Sequence, residues 1–151
     1  MLLPDGRVVF VPSKTANIGL YDPVINKFTP GPSAGDAGSS DFKYTGGVLL
    51  SDGRVVFVPW STSNMAPRTT ANIGLYEPAT NKFTSGPSAG SGGLYQGGVL
   101  LLDGRVVFVP TNSHVLGLYE PALYNDQPAY VLAHRLMASW STALLPYYNK
   151  I

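Results

Sequence analysis

Residues suited to acid–base, nucleophilic or metal chemistry are few in this chain and poorly spaced for it. The two histidines, His114 and His134, stand in no metal-ligand spacing, so structural or solvent roles are expected of both. With no cysteine there is no thiolate nucleophile, no disulfide and no sulfur-ligated metal. Asp5, Asp52 and Asp103 each precede a glycine in the same setting, which turn chemistry explains without an acid–base pair. The "GPSAG" segments at 31–35 and 86–90 lack both the G-x-S-x-G spacing and the strand-to-helix context of a nucleophile elbow. No catalytic residue, metal site or cofactor is therefore assigned, and the chain is read as non-enzymatic.

Composition narrows the partners. Charged residues make up 13% of the 151 residues, about half the usual share. Ten Lys and Arg against nine Asp and Glu leave a formal charge of +1, with no basic run for phosphate binding, so nucleic acid is not expected as a partner. The apolar start, "MLLPDGRVVFVP", is interrupted by Pro4, Asp5 and Gly6 and is too short for a signal segment. No membrane partner is expected either. Seventeen glycines and thirteen prolines indicate a loop-rich β protein.

The elements that must position any site come from an internal repeat. "DGRVVFVP" occurs at 5–12, 52–59 and 103–110, giving periods of 47 and 51 residues, lengths that suit one blade of a β-propeller. "GGVLL" at 46–50 leads through Asp-Gly into "RVVFVP", a strong hairpin signal, here expected as a type I′ turn. Val8, Val9, Phe10 and Val11 put apolar side chains on both faces of the second strand, which must then be covered on two sides. "NIGLYDP" from Asn17 and "NIGLYEP" from Asn72 form the third strand. Gly19, Gly74 and Gly117 within it are expected to mark close approach by a neighbouring backbone. A turn through Pro23 or Pro78 leads to "KFT", the fourth strand, so each unit is a four-stranded antiparallel sheet.

The order Asp-Gly turn, apolar strand, "LYDP", then "NKF" resembles the kelch repeat, in which a Tyr-Asp-Pro segment precedes Asn-Lys and an aromatic, usually Trp. Phe28 and Phe83 stand where that aromatic would be. The chain departs from the kelch pattern where a diglycine should follow the second strand, since Val11-Pro12, Val58-Pro59 and Val109-Pro110 stand there instead. The resemblance implies a kelch-like β-propeller over residues 1–122. Copper oxidases built on such propellers use a Tyr–Cys crosslink that a cysteine-free chain cannot make.

About three repeats fall short of the four to eight blades of closed propellers. The fold expected is thus all-β, with propeller-like blades that are incomplete or completed by oligomerisation, and a two-fold homo-oligomer with six blades is the simplest completion. Residues 123–151 follow no repeat. Leu132, Leu136, Trp140, Ala143 and Leu144 recur at helical spacing ahead of Pro146, predicting a C-terminal helix that either caps the last blade edge or meets an oligomer partner.

Variation between copies points to one end of the blades. The Asp-Gly turn never changes length, whereas the loop between strands two and three runs 12–17 in one unit and 59–72 in the next, eight residues longer. The loop from strand four to strand one runs 35–44 against 90–95, four residues longer in its first copy. In an antiparallel meander both insertions fall at the same end, where variable loops on a rigid scaffold collect binding residues. Trp60, Asn64, Met65 and Arg68 from one insertion, with Asp36, Asp41, Phe42 and Lys43 from the other, are the candidate binding residues. The function expected is recognition of a protein or glycan ligand through this face. The alternative is a structural protein that self-assembles without a separate ligand, and a propeller-scaffold hydrolase or lyase ranks third.

Overall fold

The computed structural model describes residues 1–35, 43–60, 72–89, 95–111 and 116–121. These residues are all-β, with no helix among them. Ten strands form three antiparallel sheets. The first sheet holds β1 (Val8–Phe10), β2 (Asn17–Asp22) and β3 (Lys27–Ser33). The second holds β4 (Tyr44–Leu49), β5 (Val55–Pro59), β6 (Asn72–Glu77) and β7 (Lys82–Ser88). The third holds β8 (Tyr95–Leu100), β9 (Val106–Pro110) and β10 (Gly117–Tyr119). Sequence order is spatial order throughout, as the meander reading of the repeat expects. The first unit's strand-one position is reduced to a single antiparallel bridge between Leu2 and Val8, reinforced by the Met1 ammonium donating to the Val9 carbonyl at 2.7 Å. The helix expected within 123–151 lies outside the described residues.

The Asp-Gly hairpin is present three times, but not as a type I′ turn. Only the glycines have positive φ, at 87°, 85° and 84° for Gly6, Gly53 and Gly104. In each unit the glycine N–H donates to the carbonyl three residues back, as from Gly6 to Leu3 at 3.0 Å, while Leu3 N–H reaches Arg7 O at 2.8 Å. This is the three-residue hairpin, a tight turn followed by a left-handed glycine, so the aspartate escapes the conformation a two-residue loop would impose. Its carboxylate is instead free to accept from the backbone N–H and the guanidinium of the following arginine, at 3.0 and 2.6 Å for Asp5 and Arg7.

Strand alternation gives each unit two apolar faces. In the second unit Val55 and Phe57 point to one side and Val56 and Val58 to the other, and all four are fully buried. The expectation of a strand covered on both faces therefore holds for β5. It fails for the outer copies, each of which is covered on one side: β1 buries Val9 and exposes Phe10, while β9 buries Val106 and Phe108 and exposes Val109.

Two cores fill the spaces between sheets, built from the same positions of the repeat. Between the first and second sheets, Leu3, Val9, Ile18 and Ala34 meet Tyr44, Val55, Phe57 and Tyr76. Between the second and third, Leu50, Val56, Ile73 and Ala89 meet Tyr95, Val106, Phe108 and Tyr119. The mid-strand glycines admit rings rather than the backbone neighbour expected from sequence, within these cores at Gly74 and Gly117 and against the exposed Phe28 and Phe10 at Gly19. A β-carbon on Gly74 would lie 2.8 Å from Phe83 Cε2, 3.0 Å from Tyr44 Cζ and 3.1 Å from Phe57 Cδ2. Backbone approach occurs instead at the diglycine of strand one, where a β-carbon on Gly46 would sit 3.2 Å from Gln96 O. Beside it, Thr45 Oγ1 donates to Tyr95 O at 2.8 Å, fastening the edge strands β4 and β8 of the second and third sheets together.

Candidate functional site

Each sheet presents its turns at one end and its variable loops at the other. At the turn end, the Asp-Gly hairpins of the first two units and the turn between β6 and β7 line one cleft of about 350 Å³, with Pro4, Asp5, Asp52, Arg54, Glu77 and Pro78 on its walls. The turns after β2 and β6 are held by a tyrosine: Tyr21 and Tyr76 donate their hydroxyls to Asn26 and Asn81 at 2.9 and 3.0 Å. Both asparagines adopt positive φ, 49° and 52°, which asparagine tolerates better than most residues. These bonds explain why "LY" and "N" recur at fixed spacing.

The cleft carries carboxylates, two of them held by arginines. Asp5 is held below the usual carboxylate range, chiefly by the Arg7 side-chain hydrogen bonds, and stays ionised at neutral pH. Asp52 is paired with Arg54 at 2.6 Å in the same way. Each of these pairs also lies beside the tyrosine of the following unit. Burial raises the Tyr76 hydroxyl, with Arg7 and Asp5 acting on it in opposite senses, and Tyr119 stands in the same relation to Arg54 and Asp52. Sequence showed the repeated aspartates but not their convergence with Glu77, because that depends on how one unit stacks on the next.

At the opposite end the structure places two of the candidate binding residues and brings them together. Trp60 N–H donates to Lys43 O at 2.8 Å, and Lys43 N–H donates to Ser13 O at 3.0 Å. The roots of both long insertions, residues 36–42 and 61–71, therefore leave the sheets from hydrogen-bonded neighbours. Trp60 is half-buried at this junction. Lys43 is buried, only 6% exposed, and its ammonium donates to Ala34 O at 3.3 Å and to Gly35 O. Its charge thus ties its own loop to the end of β3 instead of facing solvent. Asp36, Asp41, Phe42, Asn64, Met65 and Arg68 lie outside the described residues, as do His114 and His134. Among the described residues no group of three or more His, Cys, Asp or Glu converges as a metal site would require.

No family model matches the chain, and no curated protein matches it in sequence.

Proposed function

We propose that this chain is a kelch-like β-propeller module that binds a protein or glycan, without catalysis, through the loop end rooted at Trp60 and Lys43. The observation that carries this reading is the backbone bond from Trp60 to Lys43, the described residues that flank the two length-variable segments, at one end of the sheets. The opposite end supports it by contrast, since there the turns repeat in length and in hydrogen bonding. A rigid sheet stack with variation confined to adjacent loops is the arrangement from which recognition surfaces are built. Trp60 supplies an amphipathic ring suited to stacking on a sugar face or filling a protein pocket, and Arg68 supplies a fork of donors for carboxylates or hydroxyls.

The test is a glycan array and a pull-down with the intact chain, followed by Trp60→Ala and Arg68→Ala. Loss of about tenfold or more in affinity for each is expected of residues central to an interface. Ligands retained undiminished by both variants would place recognition elsewhere.

A further inference from the structure

The two ends of the sheet stack expose the two halves of an interface that the chain already makes twice internally. One half, the forward face of a unit, is built in the first junction from Met1, Leu3, Val9, Val11, Ile18 and Leu20, and in the second from Val48, Leu50, Val56, Val58, Ile73 and Leu75. The third unit carries the same positions as Val99, Leu101, Val107, Val109, Leu116 and Leu118. There Val99, Val109, Leu116 and Leu118 are 55, 46, 66 and 48% exposed, whereas Val48, Val58 and Ile73 are 6% exposed or less. The other half, the rear face, is Leu49, Val55, Phe57, Tyr76 and Phe83 in the second unit and Leu2, Val8, Phe10, Tyr21 and Phe28 in the first. Leu2, Phe10 and Phe28 are about half exposed or more, at 65, 49 and 61%.

We propose that a second copy of this chain docks head-to-tail, setting the forward face of its third unit on the rear face of the first unit of its neighbour. The occupant follows from continuity with the internal junctions: Leu and Val of one face have already selected the Phe and Tyr of the other, twice, at matching positions. Polar groups match as well. In both internal junctions an Asp–Arg turn pair lies beside the next unit's tyrosine, and the unit ends carry Asp103–Arg105, joined at 2.7 Å, on one side and Tyr21 on the other. Because the two faces differ, the contact is heterologous and closes only as a ring or continues as an open series. Two copies bring six units together, inside the range of closed propellers; that ring size rests on the propeller reading, while the pairing of faces does not.

The experiment is sedimentation equilibrium of the full chain and of Phe28→Glu, Leu116→Glu and Val24→Glu variants. Phe28 and Leu116 are exposed in the single chain, so either charge is tolerated by the fold, which circular dichroism verifies. The wild-type mass is expected at twice 16.1 kDa or a higher multiple. Phe28→Glu and Leu116→Glu should each weaken association about tenfold or more, since a carboxylate cannot be buried unpaired. Val24→Glu, at a turn 90% exposed and on neither face, should leave it unchanged. Mixing the two defective variants should restore a pair, because each keeps the face the other has lost. A wild-type chain that stays single at its highest soluble concentration would overturn the proposal. So would an assembly that ignores either face substitution, or equimolar mixing that restores nothing.

Discussion

Tyr44 shows how much a single buried side chain is committed to one protonation state. Its ring lies 5.6 Å from Phe57 and 6.2 Å from Phe83, centre to centre, and burial pushes its hydroxyl from 10.0 up to about 12. The folded chain therefore keeps the proton over a range in which the unfolded chain has released it. Stability from this residue is complete below about pH 10 and falls as pH rises toward 12 and beyond, by about 3 kcal/mol in all. Urea unfolding at about pH 8 and about pH 11 should show roughly half of that fall, about 1.4 kcal/mol, from this residue in the wild type, and a smaller total fall in Tyr44→Phe. Because burial also raises Tyr76 and Tyr119, part of the slope should persist in the variant. An unchanged slope in Tyr44→Phe would remove Tyr44 as its source. Asp5 acts at the opposite extreme of pH: its lowered value contributes stability above the normal carboxylate range, lost as pH falls, though its exposure to solvent keeps that contribution small.

Each sheet is shaped by where its glycines stand, and the reasons differ with position. Gly74→Ala would gain about 0.4–1 kcal/mol from a less flexible unfolded chain but must push the Phe83, Tyr44 and Phe57 rings apart, at about 1–3 kcal/mol. Net destabilisation is expected. Gly97→Ala meets nothing within 4 Å and should be neutral or slightly stabilising, so the difference between the two midpoints in urea measures the ring packing. Equal effects would show that the rings relax freely around an added methyl. Much at this scale was legible beforehand. Short continuous apolar runs and Asp-Gly punctuation give the strands and their order, because both are local and repeated. The turn type was not legible, since "LPDGR" suits a two- or three-residue loop equally and the choice is made by the Leu3–Arg7 pairing. Nor was the inward turn of Lys43, whose type suggests a surface charge but whose ammonium finds the Ala34 and Gly35 carbonyls only once β3 and β4 are placed. That Lys43 and Trp60 stand at the same end was legible, because a meander alternates its loops between two ends whatever the residues are, but their hydrogen bond was not.

At the scale of the whole molecule, the repeat makes equivalent residues report on their junctions. Phe57 is fully buried between sheets, while Phe10, at the same position of the first unit, is 49% exposed. Phe57→Ala should cost about 3–5 kcal/mol at any protein concentration, because its partners belong to the same chain. Phe10→Ala should cost well under half of that where the chain is dilute and single. As concentration rises and copies dock, its rear face becomes a junction like the internal ones, and linkage requires the apparent stability of the wild type to rise with it. The penalty of Phe10→Ala, read as the difference in melting temperature from wild type, should then grow with concentration, while that of Phe57→Ala stays flat. Parallel penalties across the whole range would mean that Phe10 faces solvent in every state of the protein, and that residues matched by the repeat need not be matched by an interface.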